Sequence, residues 1–126
     1  MNEEVGMKCT GVLDKEELRR RFAGREALLQ QVVEIACRTF PEMLEKIRRE
    51  MNEGDLAAVR RDGHTFEGQL KTFYALAATE RLKQLRSAVA IGDGGEARVL
   101  LSLLEEDVRR LRDHLWKLSA QLEVRT

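Results

Sequence analysis

Apolar residues recur at three- and four-residue steps through most of this 126-residue chain. One stripe runs from Leu29 to Met51 and another from Leu100 to Leu122. Such spacing places the apolar side chains on one face of an α-helix, and that face must be buried against another element. Strand-forming residues are few, so the pattern predicts helices throughout.

Short glycine-containing segments separate these stripes. Gly54-Asp55 and the run from Gly92 to Gly95 are typical of turns in which glycine ends one helix and aspartate caps the next. Asp14, with Glu17 three residues later, resembles a capping box and predicts a short first helix that ends near Gly24. Residues 1–11 show no periodicity and are predicted to form a flexible N-terminus.

The fold class that follows is all-α. Four long amphipathic helices with short connections predict an antiparallel up-down four-helix bundle, with the short additional N-terminal helix across one end. The predicted single domain covers residues 12–124. Pro41 lies inside the second helix, where it removes one backbone donor and is expected to introduce a kink.

The balance of charges, the length of the apolar runs and the spacing of the cysteines argue against several classes of function. Lys plus Arg and Asp plus Glu number 22 each, which argues against bulk binding to nucleic acid or to an anionic membrane. The longest apolar run, Val99 to Leu104, is far below the roughly 18 to 20 residues of a membrane span. The opening residues contain no apolar signal region, so the predicted location is cytoplasmic. Cys9 and Cys37 form no CxxC pattern and are expected to be free thiols.

His64 is the residue of the third helix that most suggests chemistry. The apolar stripe of this helix is formed by Leu56, Val59, Gly63, Phe66, Leu70 and Phe73. With about 100° per residue, His64 lies roughly 130° from the centre of that stripe and should face solvent. The residues that share its face are small or basic: Ala57, Arg60, Arg61, Gly68 and Lys71.

Gly68 lies one turn after His64 and costs the helix about 1 kcal/mol relative to alanine. Clearance at this point would let a partner's active site reach the imidazole for in-line attack. Neutral imidazole is nucleophilic near pH 7, and nearby basic side chains stabilise a transferring phosphoryl group. The face therefore suggests a phosphoryl carrier, although a surface histidine and a helix glycine can also coincide by accident.

The segment GHTFEGQLKTFYALA, residues 63–77, resembles the signature of histidine-containing phosphotransfer (HPt) domains. That signature is a helix with His-x-Leu-Lys-Gly, small residues, and then an apolar-Gly-Ala step. The early LDKEEL, the helix with a central phenylalanine and the Gly-Asp before the histidine helix follow the order of the family. The resemblance covers about residues 12–122.

The resemblance implies a phosphorelay role in a two-component system. His64 would be the catalytic residue, carrying a phosphoryl group between aspartates of receiver domains. The implied partners are a response-regulator receiver domain, a hybrid histidine kinase or both, with no nucleic acid and no membrane. No cofactor is implied for this chain, because Mg²⁺ belongs to the receiver. The residues expected around the phosphoryl group or the docked partner are Arg60, Arg61, Glu67, Gly68, Lys71 and, on the fourth helix, Arg86.

Three positions depart from the family pattern. Glu67 replaces the usual lysine, Gln69 replaces a small residue, and Tyr74 stands where glycine is expected before Ala75. Glu67 is expected to slow or weaken phosphorylation. Lys71, one turn further on, either compensates for it or simply pairs with Glu67 at i,i+4. Tyr74 is expected to alter the turn into the fourth helix.

Two other classes of function compete with the phosphoryl carrier: a docking module and a metal-binding bundle. Glu67 favours a non-catalytic HPt-like module that docks a receiver or kinase without accepting phosphate, whereas His64 and Gly68 argue against it. A di-iron bundle needs paired Glu-x-x-His motifs, and neither His64 nor His114 has a glutamate three residues before it. His114 is interpreted as a packed or half-exposed helix residue, and the arginine runs as solvated faces.

Overall fold

The computed structural model describes residues 11–125, with side chains as far as Leu122, and this range contains five helices and no strand. They are α1 (Lys15–Arg21), α2 (Glu26–Asn52), α3 (Leu56–Thr72), α4 (Leu76–Ala90) and α5 (Gly94–Arg125). The all-helical prediction is confirmed. The predicted flexible segment and Cys9 lie outside the described residues, apart from Gly11. Gly11 is buried, and its carbonyl accepts a 2.8 Å hydrogen bond from the Ala77 N–H.

The four long helices contact one another in a closed ring. Each of the pairs α2–α3, α3–α4 and α4–α5 is in contact, and α5 returns to α2. Hydrogen bonds between α2 and α5 show the relative direction of these two helices. Arg98, early in α5, bonds Asn52 at the end of α2, whereas Arg112, later in α5, bonds the carbonyl of Cys37. These two helices therefore run in opposite directions. The up-down order of all four stays a prediction, with which this contact order agrees.

One hydrophobic cluster fills the ring. The predicted stripe of α5 is buried from Leu100 to Leu122. Between α2 and α3, the Phe40 ring meets Phe66 edge-on with centroids 5.2 Å apart. Leu56 was expected in the stripe of α3, and this is wrong: it opens the helix, ahead of the first buried residue, and is 42% exposed. No helix between residues 11 and 125 is apolar enough over sufficient length to cross a membrane.

Two of the turns follow the predicted pattern, in which glycine ends one helix and aspartate caps the next. Gly54 and Gly92 adopt φ values of 74° and 79°, in the left-handed region that glycine enters without steric cost. The aspartates that follow cap the next helices: Asp55 accepts from the Ala58 N–H at 3.2 Å, and Asp93 from the Glu96 N–H at 3.0 Å. The repeated Gly-Asp therefore marks two helix boundaries.

The turn between α3 and α4 has the same shape without a glycine. Tyr74 has a φ of 55° and is the one non-glycine residue with positive φ in the described range. The family pattern places glycine at this position, so the turn keeps its backbone form and a tyrosine carries the strain. The expected alteration of the turn is therefore limited to the side chain, whose hydroxyl accepts a 3.4 Å bond from Arg21.

Pro41 lies within α2, which continues through it to Asn52. Proline has no N–H, so it leaves the carbonyl four residues earlier, that of Cys37, without its helical donor. Arg112 supplies the missing donor: its Nε–H donates to the Cys37 carbonyl oxygen at 2.9 Å. A side chain of α5 thus replaces the hydrogen bond that Pro41 removes from α2.

Replacing Arg112 with methionine should keep the aliphatic contact but leave the Cys37 carbonyl unpaired, lowering the free energy of unfolding by about 1–2 kcal/mol. In a Pro41→Ala background the restored N–H pairs with that carbonyl, so the same replacement should cost less. Urea denaturation of the four proteins in this double-mutant cycle measures the coupling. An Arg112→Met effect of equal size in both backgrounds would contradict the account.

Candidate functional site

His64 lies on the exposed face of α3, in the middle of the helix. The residues predicted to share this face are exposed as well: Ala57, Arg60, Arg61, Gly68 and Lys71. The opposite face of α3 packs into the core through Val59, Phe66 and Leu70. Burial of that face fixes the rotation of the helix, and so aims the imidazole outward.

The two glycines of α3 have different surroundings. At Gly68 an added Cβ would meet no atom within 4 Å beyond its chain neighbours and the backbone of its own helix, so the surface one turn after His64 is open. At Gly63 an added Cβ would lie 3.2 Å from Cγ and 3.3 Å from Cδ of Arg86. Gly63 was predicted to belong to the apolar stripe of α3. Because it has no side chain, it leaves room for the stem of Arg86 next to His64. This role of Gly63 was missed, because it depends on which α4 residue faces it.

Glu67 is the centre of a charged cluster between α3 and α4. Its side chain is only 10% exposed, and one oxygen accepts from Nη1 of Arg86. The other lies 3.2 Å from Nζ of Lys71, which confirms the predicted i,i+4 pair. Arg86 is thus in an ion pair rather than a solvated charge. Burial by itself raises the pKa of Glu67, but the bonds from Lys71 and Arg86 outweigh it and hold the pKa below its ordinary value.

Some of the basic side chains around His64 lean toward it and others lean away from it. On a helix, side chains lean toward the N-terminus. Lys71 therefore leans toward the turn that carries Glu67 and, beyond it, His64, and its Nζ lies 3.2 Å from a carboxylate oxygen of Glu67. Arg60 and Arg61 lean away from His64, and Nε of Arg61 lies 3.5 Å from Asp62. Of the basic residues on α3, Lys71 is therefore the one that leans toward His64, and Arg86 approaches from α4 against Gly63.

A second charged cluster lies on the other flank of α3. Lys46 of α2 donates to Glu50 at 2.7 Å and also to the buried carboxylate of Asp62. Burial and the neighbouring Asp62 raise the pKa of Glu50, whereas Glu50 and Lys46 lower the pKa of Asp62. The sequence analysis missed this cluster, for which an aspartate near the inner face of α3 was the available signal. It links α2 to α3 behind the face that carries His64.

The remaining candidate residues lie away from this face. His114 is half-buried on α5, and burial, with the nearby Lys15 and Lys117, lowers its pKa. Cys37 is a free, buried thiol whose pKa is raised by burial. Within residues 11–122, no three His, Cys, Asp or Glu side chains are grouped as a metal site would require.

Glu67 should make stability depend on pH in one direction. Because its pKa is lower in the folded than in the unfolded chain, it stabilises the fold above its ordinary value of 4.5. That contribution is lost as the pH falls through the lowered folded value. The difference in unfolding free energy between the native protein and Glu67→Gln should therefore shrink on acidification from pH 6 to pH 3, as measured by urea titrations. A constant difference would contradict the ionised, paired state of Glu67.

Comparison with known proteins gives one match, to a protein family. A family model described as the Hpt domain matches residues 31–121, a range that includes the whole of α3 and α4. No curated protein and no solved structure shows a significant match to the chain. The family match covers most of the chain and includes the exposed histidine with its open glycine one turn later. The chain therefore belongs to the Hpt domain family, the histidine phosphotransfer modules of two-component signalling.

Proposed function

We propose that this Hpt domain is a phosphorelay carrier that holds a phosphoryl group on His64 between the aspartates of receiver domains. The observation that carries the proposal is the exposed His64 on α3 with nothing within 4 Å of the Cβ position of Gly68. An imidazole on a rigid helix, with open surface one turn away, is accessible to another protein's active site.

The transfer needs only the groups at this face and those of the receiver. The lone pair of a neutral imidazole nitrogen attacks the phosphorus of the receiver's aspartyl phosphate. The new N–P bond forms as the P–O bond breaks, and its electron pair leaves with the aspartate carboxylate. The reverse reaction loads a second receiver. The Mg²⁺ that assists belongs to the receiver, and no cofactor is proposed for this chain.

Lys71 and Arg86 are proposed to stabilise the negative charge of the phosphoryl group. Lys71 leans toward His64, and the stem of Arg86 packs against Gly63, the neighbour of His64. Arg60 and Arg61 are exposed but lean the other way, so we assign them to partner docking. These roles fit electrostatic stabilisation of transferring phosphoryl groups by Lys and Arg.

The partner is proposed to be a receiver domain, on its own or within a hybrid histidine kinase, in the cytoplasm. A cleft of 230 Å³ between α2 and α3, lined by Val32, Ile35 and Gln69 among others, adds apolar surface on the flank of α3 away from Arg86. A receiver that covers His64 would extend over this flank or over the α4 side.

A docking module that binds a receiver without taking phosphate is the second candidate, and the glutamate at position 67 favours it. The pairing of Glu67 with Lys71 and Arg86 weakens that argument, because its charge is buried and largely neutralised rather than presented to solvent.

Incubation with a panel of phosphorylated receiver domains tests the proposal. Native protein and His114→Gln should take up phosphate, whereas His64→Gln should take up none and still bind the same receiver. Since His64 and His114 are the two histidines of the chain, the pair of variants controls for histidine loss itself. Binding without uptake by the native protein would establish the docking module instead.

A further inference from the structure

The carboxylate of Glu67 is paired with Lys71 and Arg86, the two cations proposed to stabilise a phosphoryl group on His64. Lys71 Nζ lies 3.2 Å from one oxygen, and Arg86 Nη1 donates to the other. Glu67 follows His64 by three residues, a spacing at which Cβ atoms on a helix are about 5–6 Å apart. The imidazole therefore lies one turn from the carboxylate that binds both cations, and the stem of Arg86 packs against its neighbour Gly63.

The partners of this cluster differ in their freedom to move. The Lys71 side chain is 56% exposed and can reorient at little cost, whereas that of Glu67 is 10% exposed. Arg86 lies between these values at 31%, and its Nε is buried with no hydrogen-bond partner within the described residues. The bond to Glu67 is thus what orients the guanidinium. A phosphoryl group that drew both cations away would leave a buried carboxylate unpaired, which is costly.

Resting on the proposed carrier role of His64, we propose that Glu67 competes with the phosphoryl group for Lys71 and Arg86 and so weakens the phosphohistidine. In a chain with lysine at this position the cation is available to the phosphoryl group without competition. Here each phosphorylation must share or displace an existing ion pair. The consequence is a carrier that is loaded less fully and passes its phosphoryl group on more readily.

The first test measures how phosphate distributes between a receiver and His64 at equilibrium. Glu67→Gln keeps the shape of the side chain and removes the competing charge. It should raise the ratio of phosphorylated His64 to phosphorylated receiver by about five-fold, the lower range of coupling between two linked sites. Glu106→Gln is the matched control, because Glu106 also lies near two arginines, Arg109 and Arg110, but on α5. An unchanged or lowered ratio in Glu67→Gln would overturn the inference.

A second variant keeps the test valid if Glu67→Gln folds poorly. Lys71→Met removes an exposed ammonium group and leaves the buried pair of Glu67 with Arg86 in place. It should shift the same ratio in the opposite direction, toward the phosphorylated receiver. No shift from Lys71→Met would show that Lys71 does not hold the phosphoryl group, so Glu67 could not compete for it, and the inference would be overturned.

A receiver-free measurement separates this inference from the carrier role. Phosphoramidate phosphorylates histidine chemically: its P–N bond breaks, ammonia leaves, and a new N–P bond forms on the imidazole. The resulting phosphohistidine should be hydrolysed more slowly in Glu67→Gln than in the native protein, because no carboxylate then competes for Lys71 and Arg86. Equal lifetimes would overturn the inference even if receivers load His64. Longer lifetimes in a protein that no receiver loads would support it while the carrier role fails.

Discussion

Replacing Phe66 with alanine is expected to lower the free energy of unfolding by about 3–5 kcal/mol, the usual cost of deleting a buried aromatic ring. Phe66 is 0% exposed and lies two residues after His64, on the opposite face of α3. Its ring packs edge-on against Phe40, which in turn meets Phe73 with centroids 5.7 Å apart. The deletion therefore removes transfer free energy, leaves a cavity between α2 and α3, and breaks an aromatic pair.

Chemical denaturation of Phe66→Ala and Leu76→Ala measures this effect against a matched surface change. Leu76 opens α4 and is 60% exposed, so its truncation should stay within about 0.5 kcal/mol of the native value. A loss below about 1.5 kcal/mol for Phe66→Ala would mean that the α2–α3 contact relaxes around the deletion. In that case the core would not fix the rotation of the helix that presents His64.

Replacing Gly68 with leucine is expected to stabilise the protein and to slow phosphoryl transfer severely. An added Cβ meets nothing within 4 Å, so the stability gain should approach the helix-propensity difference of about 0.8 kcal/mol. A leucine at this position leans toward the N-terminus of α3 and so over His64. The receiver's phosphoryl group would be held off the imidazole, and transfer should fall by about 100-fold, the effect of a small misplacement of reacting groups.

Ala57→Leu provides the matched control for this prediction. Ala57 is exposed on the same face as His64, two turns earlier, and a leucine there leans away from the imidazole. Transfer rates from one phosphorylated receiver, measured by rapid quench, should drop far more for Gly68→Leu than for Ala57→Leu. Equal rates in Gly68→Leu and the native protein would show that the receiver does not approach His64 over this glycine.

The helices and the exposed face could be predicted because their signals are local. Apolar spacing along α2 and α5 sets which sides are buried, and the two Gly-Asp pairs mark helix ends with glycine and aspartate in their usual roles. The outward position of His64 and the pairing of Glu67 with Lys71 follow from the geometry of one helix.

The contacts that join helices could not be predicted in this way. Arg86 packs against Gly63 from another helix, and Arg112 reaches the Cys37 carbonyl across the bundle. Both depend on which turns of two helices are level, and helical periodicity does not specify this. Tyr74 was beyond local reasoning for another reason: its left-handed conformation is unfavourable for tyrosine, and its side chain packs partly buried against the core.

Locating the phosphoryl group within the chain tests the central claim most directly. Trypsin cleaves after lysine and arginine, so His64 falls in the peptide 62–71 and His114 in the peptide 113–117. After incubation with a phosphorylated receiver, mass spectrometry of the digest at alkaline pH, where phosphohistidine survives, should find the phosphoryl group on the 62–71 peptide alone. Phosphate on 113–117, or no modified peptide from a protein that binds the receiver, would contradict the assignment of His64 as the carrier.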